Sequence, residues 1–207
     1  MDKPRLITHQ GDLAWVHKPA GMATHQNAEG GEDLNGWLAQ QSGILKGMMP
    51  VHRLDKDTSG VLLVGRKAAR RDASKLFEQG LCNKRYLALV FGKLKPVGRI
   101  SAPIDGKDAE TELRMLAAFE SDSGPLTLVE LHPSTGRKHQ LRQHLLSIRH
   151  PIVGDRRYKR RANKHPEGAP KRLWLHAASL ALPDQEPVRS PLPPELAAHL
   201  ERLRSQQ

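Results

Sequence analysis

What most constrains this chain is a succession of short apolar runs, each closed by Pro, Gly or Asp, with few helical patterns between them. Leu13 to Val16 reads as a strand running into a turn at Lys18-Pro19-Ala20-Gly21, and Val61 to Val64 as a continuous apolar strand of the buried kind. Further strands are expected at 85–91, 99–104, 110–118 and 126–132. Parallel neighbours need long crossover connections, so strands this closely spaced favour an antiparallel or mixed sheet. Helical spacing appears in four places. Leu34, Trp37 and Leu38 predict a helix over 33–41 capped by Asp33, and residues 67–79 form a second that Gly80 closes. Residues 138–149 place Leu141, Leu145 and Ile148 on one face and Lys138, Arg142 and Arg149 on others, as in a basic amphipathic helix, and a final helix spans 194–204. No repeat and no long linker interrupts the sequence. The expectation is therefore an α+β fold, one domain over 1–207, with a mixed, mostly antiparallel sheet flanked by helices.

Aromatic residues make up only 4% of the 207 residues, so aliphatic side chains must fill the core. Thirty-three Lys and Arg oppose 22 Asp and Glu, a net charge of +11 that favours a polyanionic partner. The excess is densest between Asp155 and Arg172, where Arg156, Arg157, Lys159, Arg160, Arg161, Lys164, Lys171 and Arg172 face only two acidic residues. A lone cysteine, Cys82, closes no intrachain disulfide and reads as a small packed residue in a reducing compartment. No apolar run nears the roughly 20 residues that span a bilayer, and Met1 to Gln10 lacks a signal-peptide stretch. A soluble, cytoplasmic protein is expected.

The chemistry concentrates in His52-Arg53-Leu54-Asp55-Lys56-Asp57-Thr58-Ser59-Gly60, a polar loop opening into a buried strand. Arg53 and Lys56 would keep Asp55 ionised, while Thr58, Ser59 and Gly60 offer turn geometry and backbone donors. An anionic nucleophile beside phosphate-binding cations is one reading; an Asp that merely caps a turn is the other. The histidines do not make a metal site: His139 and His144 are five apart, off any shared helix face, and His-Glu-x-x-His spacing is absent. Gly43 to Gly47 is not followed by Lys-Ser or Lys-Thr, so no phosphate loop is present.

The loop resembles the pattern His-Arg-Leu-Asp-x-x-Thr-Ser-Gly of the RluA family of RNA pseudouridine synthases, with His52, Arg53, Leu54, Asp55, Thr58, Ser59 and Gly60 filling every prescribed position. Lys84-Arg85-Tyr86 and Thr135-Gly136-Arg137-Lys138-His139-Gln140-Leu141-Arg142 agree in order and sense. So do Lys18-Pro19-Ala20-Gly21, His150-Pro151-Ile152-Val153-Gly154-Asp155 and Leu175-His176-Ala177, so that the likeness runs from about residue 12 to 182. The resemblance implies isomerisation of a uridine within RNA, without metal or cofactor. Asp55 would be the essential carboxylate, a nucleophile at C1′ or a base at C2′. Tyr86 would lie against the uracil and help remove the C5 proton, and Arg142 would pair with Asp55 and keep it ionised. Arg53 would fill the space left by the flipped base, and Leu175 would pack on the other face of the uracil. Arg137 and Gln140 join the candidate substrate-binding set with His52 and Thr58, which shape the loop, and Gly136 is expected to permit a tight approach before the helix. Read without the resemblance, Tyr86 is a core residue, Arg142 a surface charge, and Arg53 and Leu175 structural.

Many members of the family carry an N-terminal S4-type domain, for which the sequence before residue 12 leaves no room. RNA grip is therefore expected from the block 156–172 and from the helix bearing Lys138 and Arg149. The stretch from Tyr86 to Gly136 is short for a long stem-clamping loop. Gly-Arg-Lys-His-Gln-Leu-Arg followed by Arg-His-Pro-Ile-Val-Gly-Asp is most similar to the branch containing TruC, which acts on tRNA, and a tRNA or short rRNA stem-loop is the expected target, bound by a monomer. Two other readings compete. One is a non-catalytic RNA-binding or ribosome-assembly protein that keeps the basic face, and the other is a metal-independent ribonuclease using two of the His residues.

Overall fold

The computed structural model describes residues 2–26, 31–95 and 98–206, and the chain divides into two compact units. The first comprises Met1–Asn83 with Ala177–Pro191, the second Lys84–His176 with Leu192–Gln207. Strand pairing is mostly antiparallel, and among the described residues four α-helices flank the strands, giving the mixed α+β architecture expected from the spacing of the apolar runs.

In the first unit β1 (Arg5–Gln10) and β2 (Leu13–Lys18) form a hairpin, and β2 pairs antiparallel with β4 (Ser59–Gly65) from Leu13↔Gly65 to Lys18↔Gly60. The short β3 (Met49–Pro50) pairs with the far end of β4. Every residue of β4 is buried, as the unbroken run Val61-Leu62-Leu63-Val64 requires. On the other side of β4 lies β9 (Leu175–Ala181), whose residues from Ala177 onward belong to this unit and pair with β10 (Val188–Arg189). At Gly60, φ is +127° and a Cβ would stand 2.2 Å from the Ala177 carbonyl oxygen, so only glycine fits where β4 starts. Helix α1 (Leu34–Ala39) is capped by Asp33, whose carboxylate accepts from the Gly36 N–H. Helix α2 (Lys67–Glu78) ends in a Schellman arrangement: Gly80, at φ +73°, donates to Phe77 O while Leu81 N–H donates to Leu76 O.

The second unit orders its strands as the start of β9, then β5 (Asn83–Phe91), β8 (Leu126–Pro133), β7 (Glu110–Phe119) and β6 (Arg99–Ser101). Tyr86 on β5 faces Leu131 on β8. Helices α3 (Gln140–Ser147) and α4 (Pro194–Ser205) pack Leu141, Leu145, Leu196, Leu200 and Leu203 into a cluster with Leu89, Leu131 and Trp174. Each such side chain contributes about 1.5–3 kcal/mol on full burial. Cys82 is buried.

Three expectations change. The basic helix is shorter than 138–149, because His139 (φ 54°) and Arg149 (φ 68°) take left-handed conformations that stop α3 at both ends. Gly136 makes no tight approach: its φ is not positive, and a Cβ there would meet nothing within 4 Å among the described residues. The strand expected over 99–104 closes at Ser101.

Candidate active site

Asp55 lies on the loop between β3 and β4, half-buried, with Leu54 buried before it and Arg53, Lys56 and Asp57 exposed around it. Three backbone groups of this loop, Leu54 N–H, Leu54 O and Lys56 O, are held by the segment that follows β2. The Thr24 hydroxyl donates to Leu54 O (2.9 Å) and accepts from Leu54 N–H (3.1 Å). Gly21 N–H donates to Lys56 O (2.8 Å), and Thr58 N–H closes a turn onto Asp55 O (3.0 Å). Beneath them Lys18, fully buried, donates from Nζ to Pro19 O (2.9 Å), Met22 O (2.7 Å) and Lys56 O (3.2 Å). An ammonium has three donors, and here three carbonyls take them. Asp55 is thus presented on backbone held from both sides, the rigidity a reacting carboxylate requires. Thr58 is buried, and His52 stacks on Phe77 with ring centroids 4.2 Å apart while its Nε2 accepts from Leu63 N–H (3.0 Å). That acceptor role places the proton of a neutral His52 on Nδ1.

In the second unit Tyr86 is half-buried against the hydrophobic cluster. Arg142, on α3, is buried rather than spread on a solvent face: its Nε and Nη2 donate to the two carboxylate oxygens of Asp155 at 2.7 and 2.8 Å. Asp155 Oδ1 also accepts from the N–H groups of Arg157 (2.9 Å) and Tyr158 (2.8 Å). The Arg142 guanidinium lies 5.0 Å from the centroid of the Tyr158 ring, and Tyr158 OH is 3.0 Å from His139 Nδ1. Gln140 spends its side chain on the scaffold. Its Oε1 accepts from the Thr135 hydroxyl (2.7 Å) and Arg137 N–H (3.0 Å), and its Nε2 donates to Glu110 O (2.8 Å) and Thr111 Oγ1 (3.1 Å). Arg137 is exposed and donates from Nε to Asp108 O. Leu175 is buried in the cluster.

Two neighbours of these residues have their charge committed elsewhere. Burial alone would raise the pKa of Glu130, but hydrogen bonds from His132, Arg85 and Arg114 outweigh it and hold the group at about 2. Arg85, beside Tyr86, is thereby tied to the sheet. Burial pushes the pKa of His144 below the usual histidine value, its Nδ1 facing the Thr111 hydroxyl and its Nε2 the Ala102 carbonyl, both at 3.0 Å. Among the described residues no group of three or more His, Cys, Asp or Glu could hold a metal ion, and no helix is long and apolar enough to cross a membrane. Seven of the eight cations in the 156–172 block are exposed; Arg172 instead pairs with Glu195 at 2.9 Å.

The sequence marked Lys18 and Asp155 within matching segments without assigning either a role, and it did not single out Thr24 or Tyr158. A lysine ending an apolar strand directly before Pro was a signal for a buried amine, since that position lies inside the sheet.

Comparison with known proteins agrees along most of the chain. The family described as RNA pseudouridylate synthase matches residues 12–147. The protein named ribosomal large subunit pseudouridine synthase D of Nitrosomonas europaea is 35% identical over 97% of this chain and 65% of its own length. The chain therefore spans just under two thirds of that relative. The protein named tRNA pseudouridine synthase C of Salmonella typhimurium is 37% identical over 82% of this chain and 76% of its own. Among solved structures, human RNA pseudouridylate synthase domain containing 1 superimposes with a TM-score of 0.74 at 27% identity, covering 98% of this chain and 95% of its own.

Proposed function

The chain belongs to the RNA pseudouridylate synthase family, and from that premise we propose that it isomerises a uridine within RNA to pseudouridine, with Asp55 as the essential carboxylate. The observation that carries this reading is the immobilised loop around Asp55, which bears every position of the family pattern and lies inside the matched span.

The N1–C1′ bond breaks, the uracil turns, a C5–C1′ bond forms, and the C5 proton leaves as N1 gains one. No atom is gained or lost and no electron changes hands, so the proposal includes neither cofactor nor metal. Asp55 acts at the ribose, as nucleophile at C1′ or base at C2′. In this reading Arg142 pairs with Asp55 and keeps it anionic, because a carboxylate shielded from water otherwise recovers its proton. Tyr86 contributes an aromatic face for the uracil and a phenol that assists loss of the C5 proton. Leu175 bounds the other face, and Arg53, exposed beside Asp55, occupies the space the flipped base vacates. His52, Thr58, Arg137 and Gln140 shape the loops that receive the substrate. The exposed cations of 156–171 hold the phosphate backbone. The reading takes residues 1–207 as one catalytic domain, acting as a monomer in the cytoplasm on a tRNA or rRNA stem-loop. Support for both substrate classes comes from relatives named for tRNA and for the large ribosomal subunit.

The test is nucleoside analysis of bulk tRNA and 23S rRNA after incubation. Pseudouridine should appear in step with loss of uridine while chain length stays constant, and Asp55→Asn should bind the same RNA and yield none. Shortened chains would point to a ribonuclease, and biological function unimpaired in Asp55→Asn would point to a binding protein.

A further inference from the structure

We infer that Asp155 and Tyr158 are positioning residues for Arg142: together they fix the edge and the plane of its guanidinium. The inference rests on the reading of Arg142 as part of the catalytic site.

A guanidinium taken out of water must be paired, and the Asp155 side chain, itself fully buried, pairs it by both oxygens. The contact is edge-on through Nε and Nη2, which stops rotation of the guanidinium about its own axis. The carboxylate is in turn fixed by the chain that follows, since the N–H groups of Arg157 and Tyr158 both converge on Oδ1. Tyr158 then returns its ring against the guanidinium, 5.0 Å from centroid to Cζ, setting the plane. Its hydroxyl meets Nδ1 of His139, a non-glycine residue held at φ 54° immediately before α3. One turn, 155–158, therefore grips Arg142 by its edge and its face and also touches the residue that begins its helix. A buried ion pair is by itself weak support for stability, and fixing one orientation of a charged group is the role that uses all of these contacts. The same turn carries the first exposed cations of the basic block, Arg156 and Arg157. RNA bound there would bear directly on the element that orients Arg142.

The first experiment needs no turnover. In protein labelled with ¹⁵N at arginine, the Nε–H resonance of Arg142, assigned by its loss in Arg142→Lys, should exchange slowly with solvent, and Asp155→Asn should abolish that protection. An Arg142 Nε–H that exchanges freely in the wild-type chain overturns the inference. The second experiment is kinetic. Asp155→Asn should lower kcat by about 10²-fold, the cost of small misplacement of a reacting group, with KM changed less than about threefold. In an Arg142→Met background the same substitution should lower kcat no further. Because an unpaired buried guanidinium strains the fold, Tyr158→Leu supplies a milder probe: kcat should fall about tenfold, while Tyr158→Phe, which keeps the ring, should retain it. Equal losses from Asp155→Asn with and without Arg142 would show a merely structural role and refute the inference. A wild-type chain inactive on every RNA would instead sink the reading of Arg142 as catalytic, a result distinct from an active enzyme indifferent to Asp155→Asn.

Discussion

Replacing Lys18 by Met removes the ammonium that lies under the Asp55 loop and leaves a side chain of similar length. Three carbonyls lose a donor: Pro19 O, Met22 O and Lys56 O. Lys56 O keeps the N–H of Gly21, but among the described residues Pro19 O and Met22 O, both in buried surroundings, take their side-chain hydrogen bond from this ammonium. A buried acceptor left without a partner costs about 1–3 kcal/mol, so two of them cost about 2–6 kcal/mol. That is a large part of the 5–15 kcal/mol typical of a folded domain. The damage is local as well, because the turn 19–22 and the peptide at Lys56 lose their common anchor on either side of Asp55. Urea unfolding followed by fluorescence and by circular dichroism should show a lower midpoint by this amount, and pseudouridine formation should fall more steeply than the folded fraction. Lys18→Met unfolding within about 0.5 kcal/mol of wild type, with full activity, would refute the claim that this lysine anchors the loop.

Acid should weaken the protein in two windows. His17, His144 and His199 are all depressed below the usual histidine value, foremost by burial. Their contribution is complete above about 6.5 and is lost as pH falls below it, because the unfolded chain takes up those protons first. Glu130, moved from 4.5 to about 2, contributes above 4.5 and loses that contribution as pH falls toward 2. The shift corresponds to about 3 kcal/mol at most, an upper figure since Arg114 is 68% exposed. Glu130→Gln should remove the lower window from a stability-versus-pH curve, and an unchanged curve would contradict the assignment. Gly60→Ala should destabilise by at least about 3 kcal/mol, since φ +127° is strained for alanine and backbone 2.2 Å from the new Cβ cannot move aside; a melting temperature equal to wild type would show that β4 starts differently.

Apolar spacing located most elements because they follow the rules that spacing encodes: β4 is an unbroken apolar run, α1 has its Asp cap, and α2 its glycine stop. Strands β1 and β9 carry little of that signal. Leu175-His176-Ala177-Ala178-Ser179-Leu180-Ala181 has neither alternation nor a β-branched residue, and its strand form is imposed by its neighbours. Local sequence also misplaced the ends of α3: left-handed His139 bonds to Tyr158, 19 residues on, and left-handed Arg149 closes the helix with no glycine to mark it, its N–H donating to Leu146 O and that of His150 to Leu145 O. At the site, Asp55 and its flanking loop were visible as a contiguous pattern. Lys18 and Thr24 act on that loop from 30 and more residues away, and Asp155 reaches Arg142 across 13. Such pairings are fixed by topology: a local signal can mark Lys18 as a buried amine, but not the carbonyls that it meets.

The most direct measurement is tritium release from transcripts labelled at uracil C5, with tRNA and 23S rRNA offered separately to the wild-type chain and to Asp55→Asn. The account predicts release from at least one RNA by the wild type, matched by pseudouridine formed, and none above background from the variant. Equal release by both proteins would contradict the role of Asp55, and no release from any RNA or ribosomal particle would contradict the isomerase itself.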